Sequence, residues 1–209
     1  MNKIKAIIFD MDGVLIDAKE WHYEALNNAL KVANIVISKR EHLKTYDGLP
    51  TQKKLDILSE KKGLDKSIHP IIQKLKQQYT MELIHKKCKP TSYHTHALQK
   101  FKREGYNMAV CSNSIRETIN IMMHKSKLEF FFDFYISNQD VKQGKPNPEM
   151  YHKAIKKLKL TAKECLIIED SDKGIQAAIE SGAWVMKINN ITEVNYDNIT
   201  KNILDFEKL

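Results

Sequence analysis

IIFDMDGVLID, at residues 7–17, begins with a short apolar run that leads into two aspartates and a glycine. The apolar part predicts a buried strand. Side chains at i and i+2 of an extended segment point the same way, so Asp10 and Asp12 share one side and Met11 takes the other. Two carboxylates held this close repel each other unless a cation or a shared proton relieves them. An ordinary polar strand end accounts for one aspartate before a glycine, but not for two aligned acids.

The chain beyond this segment alternates short apolar runs with longer stretches of helical spacing. Strands are predicted at 5–10, 107–112, 133–137, 165–170 and 184–188, and helices at 93–104, 114–126, 148–158 and 172–181. Strands that alternate with helices of this length indicate a parallel sheet with helices on both faces. The predicted fold class is therefore α/β. The polar tail after Asn189 ends in a segment, 199–209, that we expect to pack as a last short element.

One long segment interrupts the alternation. Between the first and second predicted strands the apolar residues fall at helical spacings, as Leu26 and Leu30 do, and no segment there resembles a strand of the sheet. This pattern predicts a small helical domain at 18–86 that is inserted after the first strand. The core of the protein would then be built from 1–17 and 87–209.

Composition excludes several classes of protein. Of the 209 residues 42% are hydrophobic and 29% are charged, which is typical of a globular chain. No apolar run approaches the ~20 residues of a membrane span, and the N-terminal segment does not resemble a signal peptide.

The net charge is +8, but the lysines are scattered in short clusters of the kind that normally face solvent. We expect a cytoplasmic protein without a nucleic-acid or membrane partner, and the oligomeric state stays open.

The three cysteines, Cys88, Cys111 and Cys165, are widely spaced and odd in number. This spacing argues against a disulfide framework or a zinc site and favours free thiols in a reducing compartment. Cys111 and Cys165 fall in strand-like runs, where a cysteine most often serves as a small core residue.

Two further segments place polar residues beyond predicted strands. NMAVCSNS, at 107–114, ends in Ser112, whose hydroxyl could bind an anion together with backbone N–H groups, although the segment also suits a helix N-cap. GKPNPEMY, at 144–151, holds Lys145 in a proline-flanked loop from which it could reach a phosphate as a point charge. An exposed loop lysine is the alternative interpretation.

The last such segment is LIIEDSDKGIQAA, at 166–178, where a buried strand ends in Glu169 and Asp170. Oxygen ligands of this kind suit a hard cation such as Mg²⁺, whereas Asp172 suits the dipole at the start of the next helix. Open α/β sheets bind ligands at the carboxyl ends of their strands. Acids, hydroxyls and a lysine gathered there favour phosphoryl transfer, in which they neutralise charge on the transferred group.

These four motifs, in this order and spacing, resemble those of the haloacid dehalogenase superfamily, in particular its branch of helical-cap phosphatases and β-phosphoglucomutases. The resemblance extends to about residue 190. It implies a Rossmann-like parallel-sheet core, with the helical segment as a cap that closes over the site and selects the substrate. It also implies a Mg²⁺-dependent phosphoric monoester hydrolase whose partner is a small phosphorylated metabolite, such as a sugar phosphate.

The resemblance assigns roles by position. Asp10 corresponds to the nucleophile that forms an aspartyl-phosphate, and Asp12 to the general acid and base. Ser112 and Lys145 correspond to the phosphate-binding residues, with Asn113 close by. The metal ligands correspond to Asp10, the backbone carbonyl of Asp12 and Asp170, with Glu169 in or just outside the coordination sphere. The presence of Asp12 excludes the dehalogenases and phosphonatases of the superfamily, which lack this second aspartate.

The choice between hydrolase and mutase depends on the cap. Its candidate substrate contacts are His22, Thr51, Lys53, Lys54 and Lys76. Thr51 stands where β-phosphoglucomutase has an arginine for the second phosphate of its bisphosphate, and a bidentate arginine suits that task better than a threonine. Simple hydrolysis is therefore favoured over a mutase. A non-catalytic binding protein is the third alternative, but it would have no use for a nucleophile two residues from an acid/base.

Overall fold

The computed structural model describes residues 3–208 and divides them into two compact units. One unit contains the described residues up to Asp17 together with those from Lys89 onward, and the other is Ala18–Cys88. The second boundary falls after Cys88 rather than after residue 86, because the preceding helix continues to Lys87.

Five parallel strands form the sheet of the first unit, in the order β3-β2-β1-β4-β5. The strands are β1 (Ala6–Phe9), β2 (Asn107–Cys111), β3 (Phe134–Ile136), β4 (Cys165–Glu169) and β5 (Trp184–Lys187). The central strand β1 pairs with β2 through Phe9 and Val110, and with β4 through Phe9 and Ile168. This register brings the carboxyl ends of β1, β2 and β4 side by side. The predicted α/β parallel-sheet fold is confirmed.

Each α-helix belongs to one of the two units. They are α1 (Lys19–Leu30), α2 (Lys39–Glu41), α3 (Thr51–Lys62) and α4 (His69–Lys87) in the helical unit, and α5 (Ser92–Arg103), α6 (Arg116–Lys125), α7 (Glu149–Leu158), α8 (Asp172–Glu180) and α9 (Tyr196–Glu207) in the sheet unit. Within residues 3–208, none of these helices combines the length and the apolar character that a membrane span requires. A buried cluster that includes Ile8, Cys111, Ile167, Met150 and Ala177 joins strands to α7 and α8.

The helical unit has a hydrophobic core of its own. Its buried cluster includes Leu26, Leu30 and Ile72, so residues of α1 and α4 contribute to one core, as their helical spacing predicted. The side chain of Asn27 fastens the chain that follows α1, because its Nδ2 donates to the carbonyl of Ile37 at 3.1 Å and its Oδ1 accepts from the N–H of Ile37 at 2.9 Å.

The C-terminal tail forms a helix, α9, that begins at Tyr196, before the predicted segment 199–209. Helix α9 is 12 residues long and begins after Asn195, whose side chain accepts from the N–H of Asn198. Ile199 and Ile203, one helical turn apart, are both buried, and the burial of this apolar stripe accounts for a helix of this length. All three cysteines are free and buried, as their spacing indicated.

His94 is a buried histidine in the first turns of α5. Its Nε2 lies 3.1 Å from the carbonyl of Ile191, and its Nδ1 lies 2.7 Å from the hydroxyl of Thr91. A carbonyl only accepts, so Nε2 carries the proton and Nδ1 accepts from Thr91, which describes a neutral imidazole. Burial lowers the pKa of His94 from 6.5 to about 4, against the opposing effect of the Ile191 carbonyl.

We expect His94 to make the sheet unit sensitive to acid. The unfolded chain binds the proton below pH ~6.5 while the folded chain resists it, so the free energy of unfolding should fall as the pH drops and lose about 3 kcal/mol by pH 4. Urea unfolding of the wild type and His94→Gln at pH 8, 6 and 4.5 measures this loss. The difference between their free energies of unfolding should narrow as the pH falls. The exposed His124 supplies the control His124→Gln. If the free energies of unfolding of the wild type and His94→Gln fell in parallel as the pH drops, His94 would not be the source of the acid sensitivity.

Candidate active site

The first strand delivers its two aspartates through a tight turn. Asp10 follows β1 directly, and its N–H donates to the carbonyl of Ile168 at 3.0 Å, which extends the ladder between β1 and β4 by one residue. The chain then reverses at Gly13, whose φ of +93° is costly for residues with a Cβ, and the N–H of Gly13 donates to the carbonyl of Ile16 at 2.7 Å. The glycine is thus required for the turn that follows the two acids.

Lys145 is the buried cation of this site. Its ammonium donates to Asp10 Oδ1 at 2.6 Å, to Glu169 Oε1 at 2.6 Å and to the carbonyl of Cys111 at 2.7 Å. An ammonium group has three N–H donors, and here all three have partners on the protein. The sequence predicted Lys145 as a phosphate binder; the structure shows it joining the ends of β1, β2 and β4.

Asn113 holds the loop that carries this lysine. Its Oδ1 accepts from the backbone N–H of Lys145 at 3.0 Å, and its Nδ2 donates to the backbone carbonyl of Lys145 at 3.1 Å. This double hydrogen bond joins the loop after β2 to the loop before α7. Asn113 thereby determines where the lysine enters the site.

Asp12 lies against two serine hydroxyls. Ser114 Oγ donates to Asp12 Oδ2 at 2.9 Å, and Ser112 Oγ lies 3.5 Å from the same oxygen. The N–H of Ser114 donates to Ser112 Oγ at 3.0 Å, which fixes the two serines relative to each other. The structure therefore brings Asp12 and Ser112 together, although 100 residues separate them in the sequence.

Three carboxylates are placed to hold a metal ion. One oxygen each from Asp10, Glu169 and Asp170 lies within 4.8 Å of the others. An all-oxygen donor set suits Mg²⁺. The three carboxylates carry three negative charges and Lys145 offsets one, so a divalent cation would balance the remaining two. The donor set therefore fits Mg²⁺.

Burial and charge act against each other at the centre of the site. Burial raises the pKa of Asp10 well above its usual value, the ammonium of Lys145 opposes this rise, and the carboxylates of Glu169 and Asp170 add to it. Burial alone would lower the pKa of Lys145, but Asp10 and Glu169 outweigh that effect and raise it, so Lys145 stays charged at neutral pH. A cation beside Asp10 would favour its carboxylate form, which is the form that can act as a nucleophile.

Two side chains of this site were not predicted from the sequence. Ser114 contacts Asp12, and its spacing of two residues from Ser112 was the signal that could have identified it. Tyr151 donates its hydroxyl to Glu169 Oε1 at 2.5 Å, and burial raises its pKa well above the usual value. Its helical position and aromatic ring indicate a core residue, so no local signal distinguished it.

The predicted cap residues all lie in the helical unit. His22 on α1 and Lys76 on α4 are both buried, and the structure brings them together, with Lys76 Nζ 3.3 Å from His22 Nδ1. Thr51 begins α3, where Lys53 is exposed and Lys54 is buried. Contact of these residues with a substrate stays a prediction.

A sequence model of the family described as haloacid dehalogenase-like hydrolase matches residues 7–188. The chain belongs to this family. The match confirms the family predicted from the four motifs and, with it, the prediction that the chain is an enzyme of the hydrolase class.

Known proteins similar to the chain include two curated relatives. A phosphorylated carbohydrates phosphatase from Thermotoga maritima is 26% identical, over 86% of this chain and 82% of the relative. A pyrophosphatase, PpaX, from Bacillus thuringiensis is 28% identical, over 88% of this chain and 86% of the relative. Among solved structures, β-phosphoglucomutase from Clostridium difficile superposes with a TM-score of 0.84 at 22% identity, over 99% of this chain and 100% of that one. At this identity the structural likeness concerns the fold.

Proposed function

We propose that the chain is a Mg²⁺-dependent phosphatase that hydrolyses a small phosphorylated metabolite, such as a sugar phosphate, through an aspartyl-phosphate on Asp10. The observation that supports this most is the arrangement around Asp10, which is buried, held by Lys145 at 2.6 Å and clustered with two further carboxylates. The relatives named as phosphatases act on phosphorylated compounds by their names, which is consistent with the same chemistry in this chain.

The proposed reaction has two steps. In the first, a carboxylate oxygen of Asp10 bonds to phosphorus, the ester P–O bond breaks, and Asp12 gives its proton to the leaving alcohol oxygen. In the second, Asp12 takes a proton from water, the water oxygen bonds to phosphorus, and the bond to Asp10 breaks to release phosphate. Lys145 fixes one oxygen of Asp10 throughout, and the hydroxyl of Ser114 orients Asp12.

The metal and phosphate contacts follow from the same arrangement. Asp10, Asp170, the backbone carbonyl of Asp12 and, directly or just outside the coordination sphere, Glu169 would hold Mg²⁺. The ion would supply positive charge beside the phosphoryl oxygens. Ser112 would donate its hydroxyl to the transferred phosphate. Lys145, whose loop Asn113 holds, would act on the phosphate as a point charge.

We assign the helical unit the role of selecting the substrate. Its buried pair of His22 and Lys76 is the first candidate for that contact, and Thr51, Lys53 and Lys54 on α3 are the others. The substrate is a small anionic ester in this proposal, and a buried lysine beside a histidine provides donors suited to such a group.

Phosphate release from a panel of phosphorylated sugars and small phosphate esters tests the proposal. We expect release from at least one compound in the presence of Mg²⁺. Excess chelator should lower it by about 100-fold or more, because the metal neutralises charge on the transferred group, and added Mg²⁺ should restore it. A malachite-green assay measures the release.

Three results would count against the proposal. Failure to release phosphate from any compound would contradict the phosphatase assignment, and activity that persists in chelator would contradict the metal. Incubation with β-glucose 1-phosphate and a trace of the bisphosphate separates hydrolase from mutase. Glucose 6-phosphate that accumulates faster than free phosphate would favour the mutase.

A further inference from the structure

The loop that follows β3, residues 137–140, has no part in the proposed reaction, yet it holds the segment that precedes α6. The N–H of Asn138 donates to the carbonyl of Ser114 at 3.2 Å, and the side-chain oxygen of Gln139 accepts from the N–H of Arg116 at 2.9 Å. Both bonds end between β2 and α6. We call residues 137–140 the β3 loop.

Asp140 fixes the shape of the β3 loop. Its Oδ2 accepts from the N–H of Ser137 at 2.8 Å and from the Ser137 hydroxyl at 2.6 Å, which closes the loop as a capping box. The same oxygen accepts from the guanidinium of Arg116. Burial acts to raise the pKa of Asp140, but the hydrogen bonds from Ser137 and the charge of Arg116 outweigh it and lower the pKa. The carboxylate therefore keeps its charge and joins the loop to the first residue of α6.

Ser114 carries this placement to the general acid and base. Its hydroxyl donates to Asp12 Oδ2 at 2.9 Å, within the normal range for such a bond, whereas the hydroxyl of Ser112 lies 3.5 Å away. The backbone of Ser114 is held on both sides, because its carbonyl accepts from Asn138 and its N–H donates to Ser112 Oγ at 3.0 Å. Side chains choose among a few staggered positions, so a hydroxyl held in place selects one of them for Asp12.

We propose that Asp140 is a positioning residue for the general acid and base, and that it acts on Asp12 through Ser114. This inference rests on the proposed function. The Arg116–Asp140 pair is partly exposed, with 42% and 29% of the two side chains accessible, and ion pairs of this kind add little stability. Its effect is instead one of position. Without the carboxylate the β3 loop loosens, Ser114 is held from one side fewer, and Asp12 leaves its position.

The variant Asp140→Ala tests this through the leaving group. It should lower kcat for an alkyl phosphate by about tenfold and leave KM within about twofold, because a displaced general acid is costly while the phosphate contacts remain. Single-turnover release of phenol from an aryl phosphate should stay within about twofold, since the phenolate departs without a proton from Asp12. A merely structural defect would lower both rates alike.

Ser114→Ala should reproduce this pattern, because it removes the hydroxyl and keeps the backbone N–H that bonds to Ser112. The double variant with Asp140→Ala should lose no more than about twofold beyond either single variant, since both act along one route. If Asp140→Ala does not fold, Arg116→Met removes the same connection from the side of α6 and should give the same dependence on the leaving group.

Glu164 supplies the matched control. It closes a capping box on Thr161 and pairs with Lys5 at 2.6 Å, but it precedes β4 and so lies at the opposite edge of the sheet from the site. Glu164→Ala should lower the urea midpoint about as much as Asp140→Ala does. Its kcat for the alkyl phosphate should stay within about twofold of the wild type.

A second readout does not depend on turnover. High-resolution crystal structures should show Asp12 in one conformer on Ser114 in the wild type, and in a second conformer in Asp140→Ala. An unchanged single conformer in the variant would overturn the inference, and so would equal losses for alkyl and aryl esters or additive losses in the double variant. If the wild type releases no phosphate from any ester, the proposed function fails, and the two crystal structures still decide whether Asp140 positions Asp12.

Discussion

Replacing Asp10 by asparagine should lower phosphate release by about four orders of magnitude or more and leave the fold intact. The amide nitrogen and oxygen of asparagine cannot form the aspartyl-phosphate, so the covalent route is lost rather than slowed. The side chains have nearly the same size, and Asp10 is only 8% exposed, so the packing around the end of β1 should be preserved. Lys145 keeps Glu169 and the carbonyl of Cys111 as acceptors. Initial rates with an aryl phosphate measure the effect.

A matched substitution in the same unit controls for the loss of a carboxylate. Asp133 accepts from the N–H of Met108 at 2.9 Å just before β3, so Asp133→Asn also removes a hydrogen-bonded charge, here at an exposed position. It should retain nearly full activity. Far-UV circular dichroism and the urea midpoint of Asp10→Asn report on the fold. Turnover of Asp10→Asn within tenfold of the wild type would remove Asp10 as the nucleophile.

The local part of the site could be predicted from the sequence because it follows from strand geometry. Asp10 and Asp12 are two positions apart on an extended segment, and Glu169 and Asp170 lie at the end of a strand whose sequence indicates burial. Parallel strands end at the same edge of a sheet, so the acids that follow different strands could be expected at one edge. The sheet and the helices around it were predictable for the same reason, since their apolar periodicity is local.

The remaining part depends on tertiary register, which no local pattern encodes. Lys145 lies 135 residues from Asp10, and its ammonium reaches three strand ends only because the loop is fastened by Asn113. The hydroxyl of Tyr151 reaches Glu169 only because α7 places it there. Without that contact the residue would be an ordinary tyrosine of the hydrophobic core. The C-terminal helix begins at Tyr196, ahead of the predicted segment 199–209, since the polar residues before Ile199 carry no apolar periodicity.

Replacing Asp12 by asparagine should give a loss that depends on the leaving group. An asparagine cannot protonate a departing alcohol or take a proton from water, and general acid–base catalysis contributes about 10²–10⁴ to such steps. An alkyl phosphate needs that proton, so its turnover should fall by about 10³. The phenolate of an aryl phosphate departs without that proton, so the first step should survive while hydrolysis of the aspartyl-phosphate becomes slow.

The predicted signature is a burst. With an aryl ester in excess, Asp12→Asn should release close to one equivalent of the phenol rapidly and then turn over slowly, with phosphate trapped on the protein. Rapid-quench kinetics and intact-protein mass spectrometry measure the burst and the added mass. The double variant with Asp10→Asn should show neither, which ties the trapped phosphate to Asp10. Equal losses for alkyl and aryl esters without a burst would instead mean that Asp12 acts before the transfer, for example by holding the end of β1 through the hydroxyl of Ser114.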